Sequence, residues 1–200
     1  MRVLLLDAND RAGLTLARSL GLAGFTVANV MLGGRKSAVH RSRFLSEQHL
    51  VGDPEADLSS ARTALYEILI QHDYQVVIPV SDRSIILLGD EGWEIASRRG
   101  LCWAPKYEIY QRLASKIESV SLALSCGLAV PDSTVASDSD LHWAQEQFNL
   151  GKRIFVKPEF SAFEYCDQLQ TGPVRVANSV TQLQGFIDDL KRRTRIQLSS

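Results

Sequence analysis

The sequence predicts an α/β fold: a parallel sheet with helices on both faces, followed by a smaller α+β domain. Wholly apolar segments, such as residues 3–6 and 76–80, alternate with stretches in which apolar residues recur at helical spacing. Strands that are apolar throughout are typical of a parallel sheet buried on both faces. From about residue 105 the segments become shorter and a Ser/Asp-rich stretch interrupts them. A chain of 200 residues is long enough for one large domain or two small ones, and this change indicates two.

The first half alternates predicted strands with predicted helices. Residues 3–6 form the first strand, and the helical pattern after it stops at Gly24. Residues 25–32 form the next strand, which Gly33 and Gly34 end. A helix over residues 58–72, a strand over 76–80, a helix after Ser81 and a short strand at 101–103 complete the pattern. This alternation predicts parallel strands joined by helical crossovers.

The second half has a different pattern of predicted elements, with short helices and strands that do not alternate regularly. It contains predicted helices at residues 107–114, 116–126, 141–148 and 180–190. Residues 153–156 form a strand, and residues 174–176 read as a return strand antiparallel to it. We therefore expect a small antiparallel sheet with helices in the second domain.

Composition and charge exclude several classes of protein. The formal net charge is −1, so no basic field attracts nucleic acid. No apolar run approaches membrane-spanning length, and the apolar start is too short for a signal peptide. The sequence has three cysteines, an odd number without a C-x-x-C pair, and four histidines without a ligand spacing (Cys102, Cys126, Cys166; His40, His49, His72, His142). These patterns argue against disulfides and against a metal site, and they favour a cytoplasmic protein without membrane or nucleic-acid partners.

Two lysines stand at places where an anion would meet them. Lys157 ends an apolar strand and is followed by Pro158, and a charge at the end of a buried strand costs desolvation unless an anion meets it. Lys116 stands upstream, at the start of a helical pattern. Together they suggest a site for a polyanion such as nucleotide phosphates. The alternative is that both are ordinary solvent-exposed lysines.

Three segments in order resemble the ATP-grasp superfamily. They are residues 113–116 (LASK), residues 126–134 (CGLAVPDST) and residues 154–158 (IFVKP). The resemblance implies a Rossmann-like parallel-sheet pre-ATP-grasp domain over residues 1–104. It implies an ATP-grasp N-terminal lobe over residues 105–200, with a helical linker and a small antiparallel sheet. The resemblance also implies that a further strand of this lobe begins at residues 195–197. The branch most similar is that of the carbamoyl-phosphate-synthetase-like enzymes and carboxylate–amine ligases.

The resemblance also implies a function. Lys116 and Lys157 match the lysines that contact the phosphates of ATP, for which a compact charge on a flexible stem is suited. ATP then phosphorylates a small-molecule carboxylate, and an amine or a thiol attacks the acylphosphate. Magnesium ligands belong to a second lobe, so the chain alone is expected to be inactive, to need a complementing C-terminal lobe, or to self-associate.

The segment after Lys157 departs from the family pattern. A glycine-rich loop usually closes over the phosphates there through its backbone N–H groups. Here Glu159 and Glu164 follow Pro158, and the next glycine is Gly172. Two acids would repel phosphate. This leaves the alternative of a non-catalytic truncated or split paralogue that binds a small molecule or a partner chain.

Polar residues after two predicted strands are candidates for contacts with the carboxylate substrate. They are Asn9, Arg11, Ser81, Asp82 and Arg83. The carboxyl ends of parallel strands are where ligands bind in open sheets. Of a G-x-G-x-x-G dinucleotide motif only Gly13 is present, so we reject NAD binding. For Asp10 and Ser81 we expect helix N-capping.

Overall fold

The computed structural model describes residues 1–34, 38–136, 140–191, 194 and 196–199. The chain divides into two compact units. The first comprises Met1–Ile109 together with Ala162–Gln170, and the second comprises Tyr110–Ser161 together with Thr171–Ser200. The domain limits predicted from the sequence, 1–104 and 105–200, stay a prediction. The insertion of residues 162–170 into the first unit was not expected from the sequence.

The first unit is built on a five-stranded parallel sheet, which confirms the predicted fold class. Its elements, in chain order, are β1 (Arg2–Leu6), α1 (Arg11–Leu22), β2 (Thr26–Leu32), a 3₁₀ helix (Ala38–Arg41), β3 (Leu45–Val51), α2 (Leu58–Gln71), β4 (Val76–Pro79), α3 (Asp82–Arg99) and β5 (Leu101–Cys102). Helix α4 (Tyr107–Ala114) follows, and the first unit ends within it.

The strand order β3-β2-β1-β4-β5 creates a crevice at the carboxyl ends of β1 and β4. The chain winds from β1 to β2 on one side and from β3 back to β4 on the other, so the direction of winding changes between β1 and β4. Loops diverge at such a switch point and leave room for a ligand. Leu6 is paired with Pro79 in the register, so the segments after these residues start side by side.

The strands form because they are apolar on both faces. Leu4, Leu5 and Leu6 have no exposed surface. Helix α1 lies close to the loop after β1, because a Cβ at Gly13 would stand 2.5 Å from the Ala8 Cα. Gly13 is therefore a packing residue here, as a close helix–strand approach requires.

A β-hairpin inserted from the second half belongs to the first unit. Strands β8 (Ala162–Tyr165) and β9 (Gln168–Thr171) are joined by Cys166 and Asp167, which both have positive φ, at 50° and 57°. Two such residues are typical of a type I′ turn. The Asp167 carbonyl accepts a hydrogen bond from the Leu58 N–H (2.9 Å), and the Asp167 carboxylate accepts one from the Ser59 hydroxyl (2.6 Å). The hairpin tip is thereby attached to the start of α2.

The second unit contains a four-stranded antiparallel sheet with the order β10-β7-β11-β6. Its elements are α5 (Lys116–Ser125), β6 (Ser133–Val135), α6 (Asp140–Asn149), β7 (Ile154–Pro158), β10 (Arg175–Ala177), α7 (Val180–Leu190) and β11 (Ile196–Ser199). The predicted return strand is confirmed, since Val176 pairs antiparallel with Phe155. The strand predicted at 195–197 starts outside the described residues and is present from Ile196. Helices α6 and α7 pack on one face of the sheet, around Ile154 and Val156.

Candidate functional site

In the first unit, Asp7 is the centre of a polar cluster at the carboxyl ends of β1 and β4. Its Oδ1 accepts a hydrogen bond from the Asn9 side-chain amide (2.6 Å), and its Oδ2 accepts one from the Ser81 hydroxyl (2.9 Å). The Asp7 backbone has a φ of 59°, a left-handed conformation that aspartate tolerates better than most residues. This turn directs the carboxylate back to the end of β4.

Arg83 completes this cluster. Its Nε lies 3.7 Å from Asp7 Oδ2, and its Nη1 pairs with the Glu55 carboxylate. Among the described residues, two buried polar atoms of the cluster lack a hydrogen-bond partner: Arg83 Nε and Asn9 Oδ1. Buried polar atoms are nearly always satisfied in folded proteins, so these atoms are free to bind a ligand or water. One is a donor and the other is an acceptor.

The other two candidates from the sequence lie outside this hydrogen-bonded cluster. Arg11 and Asp82 are the first residues of α1 and α3, and both are exposed. Arg11 lines an apolar groove of about 770 Å³ together with Trp103 and Pro79. The predicted capping of Asp10 and Ser81 is confirmed, because Asp10 accepts from the Gly13 N–H and Ser81 forms a capping box with Ser84.

In the second unit, Lys116 is fixed next to the end of β7. Ser115 caps α5 by accepting from the Glu118 N–H (3.1 Å), which places Lys116 in the first turn. The Lys116 ammonium group donates to the Glu159 carbonyl (3.3 Å) and to the Ser161 hydroxyl (3.2 Å). The structure therefore attaches the first predicted lysine to the segment that follows the second.

Lys157 lies within β7, and its side chain projects from the face of the sheet opposite α6 and α7. Ile154, Val156 and Pro158 are buried on the helix side, whereas Phe155 and Lys157 alternate with them and are half-buried. The Lys157 Nζ lies 5.8 Å from the centre of the Phe155 ring. This face of the sheet in the second unit therefore presents a flat aromatic ring and a cation.

Both acids after Pro158 have partners of their own. Glu159 is 5% exposed and its carboxylate accepts a hydrogen bond from the Ser115 hydroxyl (2.7 Å). Glu164, on the hairpin of the first unit, pairs with Arg62 (2.8 Å). The positive charge of Arg62 balances that of Glu164, whereas the hydroxyl that donates to the buried Glu159 carboxylate is neutral.

Several residues of the site were not identified from the sequence. Ser115, Glu159 and Ser161 hold Lys116 in place, and Asp7 and Glu55 hold the first-unit cluster together. Of these five residues, only Ser115 could have been identified from the sequence, because a serine directly before a helical pattern is a common N-cap. The other contacts join residues distant in sequence.

Among the residues that the structure describes, one group of side chains could hold a metal ion: Glu47, His49 and His72. The group belongs to the first unit, whereas Lys116 and Lys157 belong to the second. The spacing of the histidines in the sequence gave no indication of this group.

Within the described part of the chain, no helix combines the length and the apolar character needed to cross a bilayer.

The chain consists of a parallel-sheet unit and a unit with a small antiparallel sheet, and its fold matches that of the amino-terminal part of ATP-grasp enzymes. The fold of the chain is similar to that of N5-carboxyaminoimidazole synthetase from Staphylococcus aureus, with a TM-score of 0.61 and 14% identity. It is also similar to L-amino acid ligase from Bacillus licheniformis, with a TM-score of 0.66 and 10% identity. A third match is the biotin carboxylase domain of 2-oxoglutarate carboxylase from Hydrogenobacter thermophilus, solved with MgADP and bicarbonate (TM-score 0.64, 10% identity).

The matches cover 100%, 99% and 98% of this chain, but 46%, 43% and 43% of the respective solved structures. The chain thus spans less than half the length of these proteins. No family model matches the sequence, and no curated protein matches it either. At these identities the similarity establishes the fold, and the resemblance to ATP-grasp proteins is confirmed at that level.

Proposed function

We propose that the chain is the amino-terminal part of an ATP-dependent ligase of ATP-grasp type that joins a carboxylate to an amine or a thiol. The main observation is the placement of the two lysines in the second unit: Lys157 is half-buried in β7, and the Lys116 ammonium donates to the carbonyl of Glu159, two residues further on. Two of the similar structures are ligases or synthetases by name, and the third was solved with MgADP. In such a reaction ATP phosphorylates the carboxylate, and the amine or thiol attacks the acylphosphate.

The two lysines would bind the phosphates of ATP. A lysine ammonium has three N–H donors and no acceptor, so it suits an anion with several oxygens. Lys116 uses two neutral oxygens, the Glu159 carbonyl and the Ser161 hydroxyl, to orient its ammonium, and neither removes its charge. The Phe155 ring next to Lys157 offers a flat apolar surface on the same face. The protein's contribution would be positioning and charge neutralisation.

Magnesium would neutralise the triphosphate together with the lysines. The group of potential metal ligands found among the described residues belongs to the first unit and includes two histidines, whereas magnesium prefers oxygen ligands. We therefore expect a polypeptide of residues 1–200 to bind nucleotide weakly and not to turn it over.

The first-unit cluster would bind the carboxylate substrate. Arg83 supplies a guanidinium, whose planar donors match a carboxylate. The Asn9 Oδ1, an acceptor without a partner among the described residues, would take a hydrogen bond from an N–H or O–H group elsewhere on the substrate. Ser81 and Asp7 orient these groups. Arg11 and Asp82, which are exposed, would contact only the outer part of a larger substrate.

The second candidate function is binding without catalysis, as in a truncated or split ATP-grasp paralogue. It is favoured by the segment after β7, where a glycine-rich phosphate loop is replaced by a hairpin. Hydrogen bonds from Leu58 and Ser59 to Asp167 hold that hairpin on the first unit. A segment fixed in this way has fewer free backbone N–H groups for phosphate than an open glycine loop.

Titration of the 200-residue chain with MgATP in a calorimeter tests the proposed nucleotide site. We expect a dissociation constant weaker than micromolar in the wild-type chain. Lys157→Ala and Lys116→Ala should each weaken binding roughly 10-fold or more, because a hydrogen bond to a charged group contributes about 1.5–3 kcal/mol. The matched control is Lys106→Ala, which removes an exposed lysine paired with Glu94 in the first unit.

Equal affinities of the Lys157→Ala and Lys106→Ala chains for MgATP would contradict the proposal.

The two candidate functions differ in whether ATP is turned over. Expression of the 200 residues together with the carboxyl-terminal half of a similar ligase should give carboxylate-dependent ADP release if the chain is part of an enzyme. Binding that depends on Lys157 without any such release would favour the non-catalytic alternative.

A further inference from the structure

A cluster of two imidazoles and a carboxylate lies on the first unit, and it shares no residue with the polar cluster around Asp7. Glu47 and His49 are alternate residues of the edge strand β3, so both side chains project from the same face. His72 is the C-cap residue of α2, and Tyr74 follows it shortly before β4 begins. The cluster therefore joins an edge strand to the connection between α2 and β4.

The spacing of its atoms is close to that of metal ligands. Glu47 Oε1 lies 3.5 Å from His49 Nε2 and 3.5 Å from His72 Nδ1. Tetrahedral zinc with ligands at about 2.0–2.1 Å keeps its ligand atoms about 3.3 Å apart. The three potential ligand atoms lie within 4.8 Å of one another, so a small rotation of the imidazole rings would complete the geometry.

The second carboxylate oxygen of Glu47 is already held by two donors. The Tyr74 hydroxyl donates to Oε2 (2.9 Å), and so does the Arg2 guanidinium (2.6 Å). Hydrogen bonds of this kind orient a ligand carboxylate and leave its other oxygen for the metal. Here the free oxygen is Oε1, the atom that faces both imidazoles.

The His49 side chain can turn from its present partner to a metal ion. In the structure His49 Nε2 lies 2.6 Å from the Tyr74 hydroxyl, and a bound metal ion would replace this contact. The Tyr74 proton would remain directed to Glu47 Oε2.

We propose that Glu47, His49 and His72 bind one Zn²⁺ ion, which fastens β3 to the connection between α2 and β4. Two imidazoles and one carboxylate suit zinc, whereas magnesium and calcium prefer oxygen ligands. Partial exposure of the side chains, 12% for His49, 30% for His72 and 33% for Glu47, leaves access for the ion and a position for a water ligand. The site is independent of the proposed ligase function, since it contains none of the residues assigned to ATP or to the carboxylate.

We expect the affinity of this site for Zn²⁺ to be moderate. The Arg2 guanidinium is 2.6 Å from Glu47 Oε2, so its charge opposes a cation at the other oxygen. Replacing Arg2 by Gln would retain a donor to Glu47 and remove this charge. We therefore expect Arg2→Gln to bind zinc more tightly than the wild-type chain does.

Calorimetric titration of the chelator-treated 200-residue chain with ZnCl₂ tests the site. We expect one equivalent to bind with a micromolar or tighter dissociation constant, and Co²⁺ to give the visible absorption of a four-coordinate ion. His72→Ala should weaken Zn²⁺ binding at least tenfold. The matched control is His142→Ala, since His142 also lies 3.5 Å from a glutamate, Glu146, but is 84% exposed and has no second histidine in the pair.

A second variant covers the case in which His72→Ala does not fold. Glu47→Gln keeps the shape of the side chain and one hydrogen-bonding oxygen while removing its charge, and it too should weaken binding at least tenfold. The absence of saturable one-to-one binding by the wild-type chain would overturn the proposal. So would equal weakening by His72→Ala and His142→Ala, which would mean that zinc binds surface histidines without selectivity.

Discussion

At the scale of single residues, Asp7 connects the end of β1 to the end of β4. Its side chain is 10% exposed and interacts with Asn9, Ser81 and Arg83. A carboxylate at this depth is stable because its hydrogen bonds and the guanidinium compensate for lost hydration. Its left-handed backbone adds a second requirement, which only glycine, asparagine and aspartate meet easily.

Replacing Asp7 should therefore destabilise the first unit. We expect Asp7→Ala to lower the free energy of unfolding by about 2–4 kcal/mol, because it removes the acceptor of the Asn9 amide and the Ser81 hydroxyl and one of the two carboxylates next to Arg83. Asp7→Asn should cost less, since asparagine tolerates the left-handed backbone and retains one acceptor oxygen. Urea denaturation followed by circular dichroism measures both. An Asp7→Ala variant within about 0.5 kcal/mol of the wild type, the range of ordinary surface substitutions, would contradict this role.

At the scale of elements, helix α3 contains a break that the protein compensates with side chains. Gly89 has φ 59° and ψ −170°, which is not helical. The carbonyl of Ile86 accepts a hydrogen bond from Arg62 (3.0 Å), and the carbonyl of Leu88 accepts one from the Tyr66 hydroxyl (3.1 Å). Burial raises the pKa of Tyr66, so its hydroxyl remains protonated and able to donate. The break is thus a built feature of the contact between α2 and α3.

Two glycine-to-alanine substitutions should have opposite effects. Gly89→Ala should destabilise by about 1–3 kcal/mol, because that backbone conformation is essentially restricted to glycine. Space is not the cause, since the nearest atom to an added Cβ is the Tyr66 hydroxyl oxygen at 3.6 Å. The control is Gly185→Ala, in the exposed middle of α7 with nothing within 4 Å of the added Cβ. It should stabilise by about 0.5–1 kcal/mol, as alanine does in helices.

Thermal or urea unfolding of the two variants measures the difference. A Gly89→Ala protein as stable as the wild type would mean that α3 straightens without cost. That result would contradict the assignment of the break to the backbone of Gly89.

At the scale of the whole molecule, the sequence predicted the elements that are strongly apolar. Strands β1, β2 and β4 are apolar runs, and the Asp10 and Ser81 caps follow from local hydrogen-bonding chemistry. Strand β3 (Leu45–Val51) was missed because it is an edge strand with four consecutive polar residues, Ser46 to His49, so that no apolar run or apolar/polar alternation marks it. The hairpin was missed because its turn uses Cys166 and Asp167 in place of the glycine or asparagine that normally marks such turns.

The functional sites, like the secondary-structure elements, could be predicted only where a local sequence pattern marks them. Lys116 and Lys157 could be proposed from sequence because both follow local patterns, a helix start and a strand before proline. The convergence of Glu47, His49 and His72 could not be, because it depends on β3 and on the pairing of distant segments.

The most direct test of the central claim is a crystal structure of the chain with a non-hydrolysable ATP analogue and magnesium. We expect density for the triphosphate on the second unit, with phosphate oxygens within hydrogen-bonding distance of both the Lys116 and the Lys157 ammonium groups. A nucleotide bound elsewhere on the chain, or bound with its phosphates away from both lysines, would contradict the proposed nucleotide site.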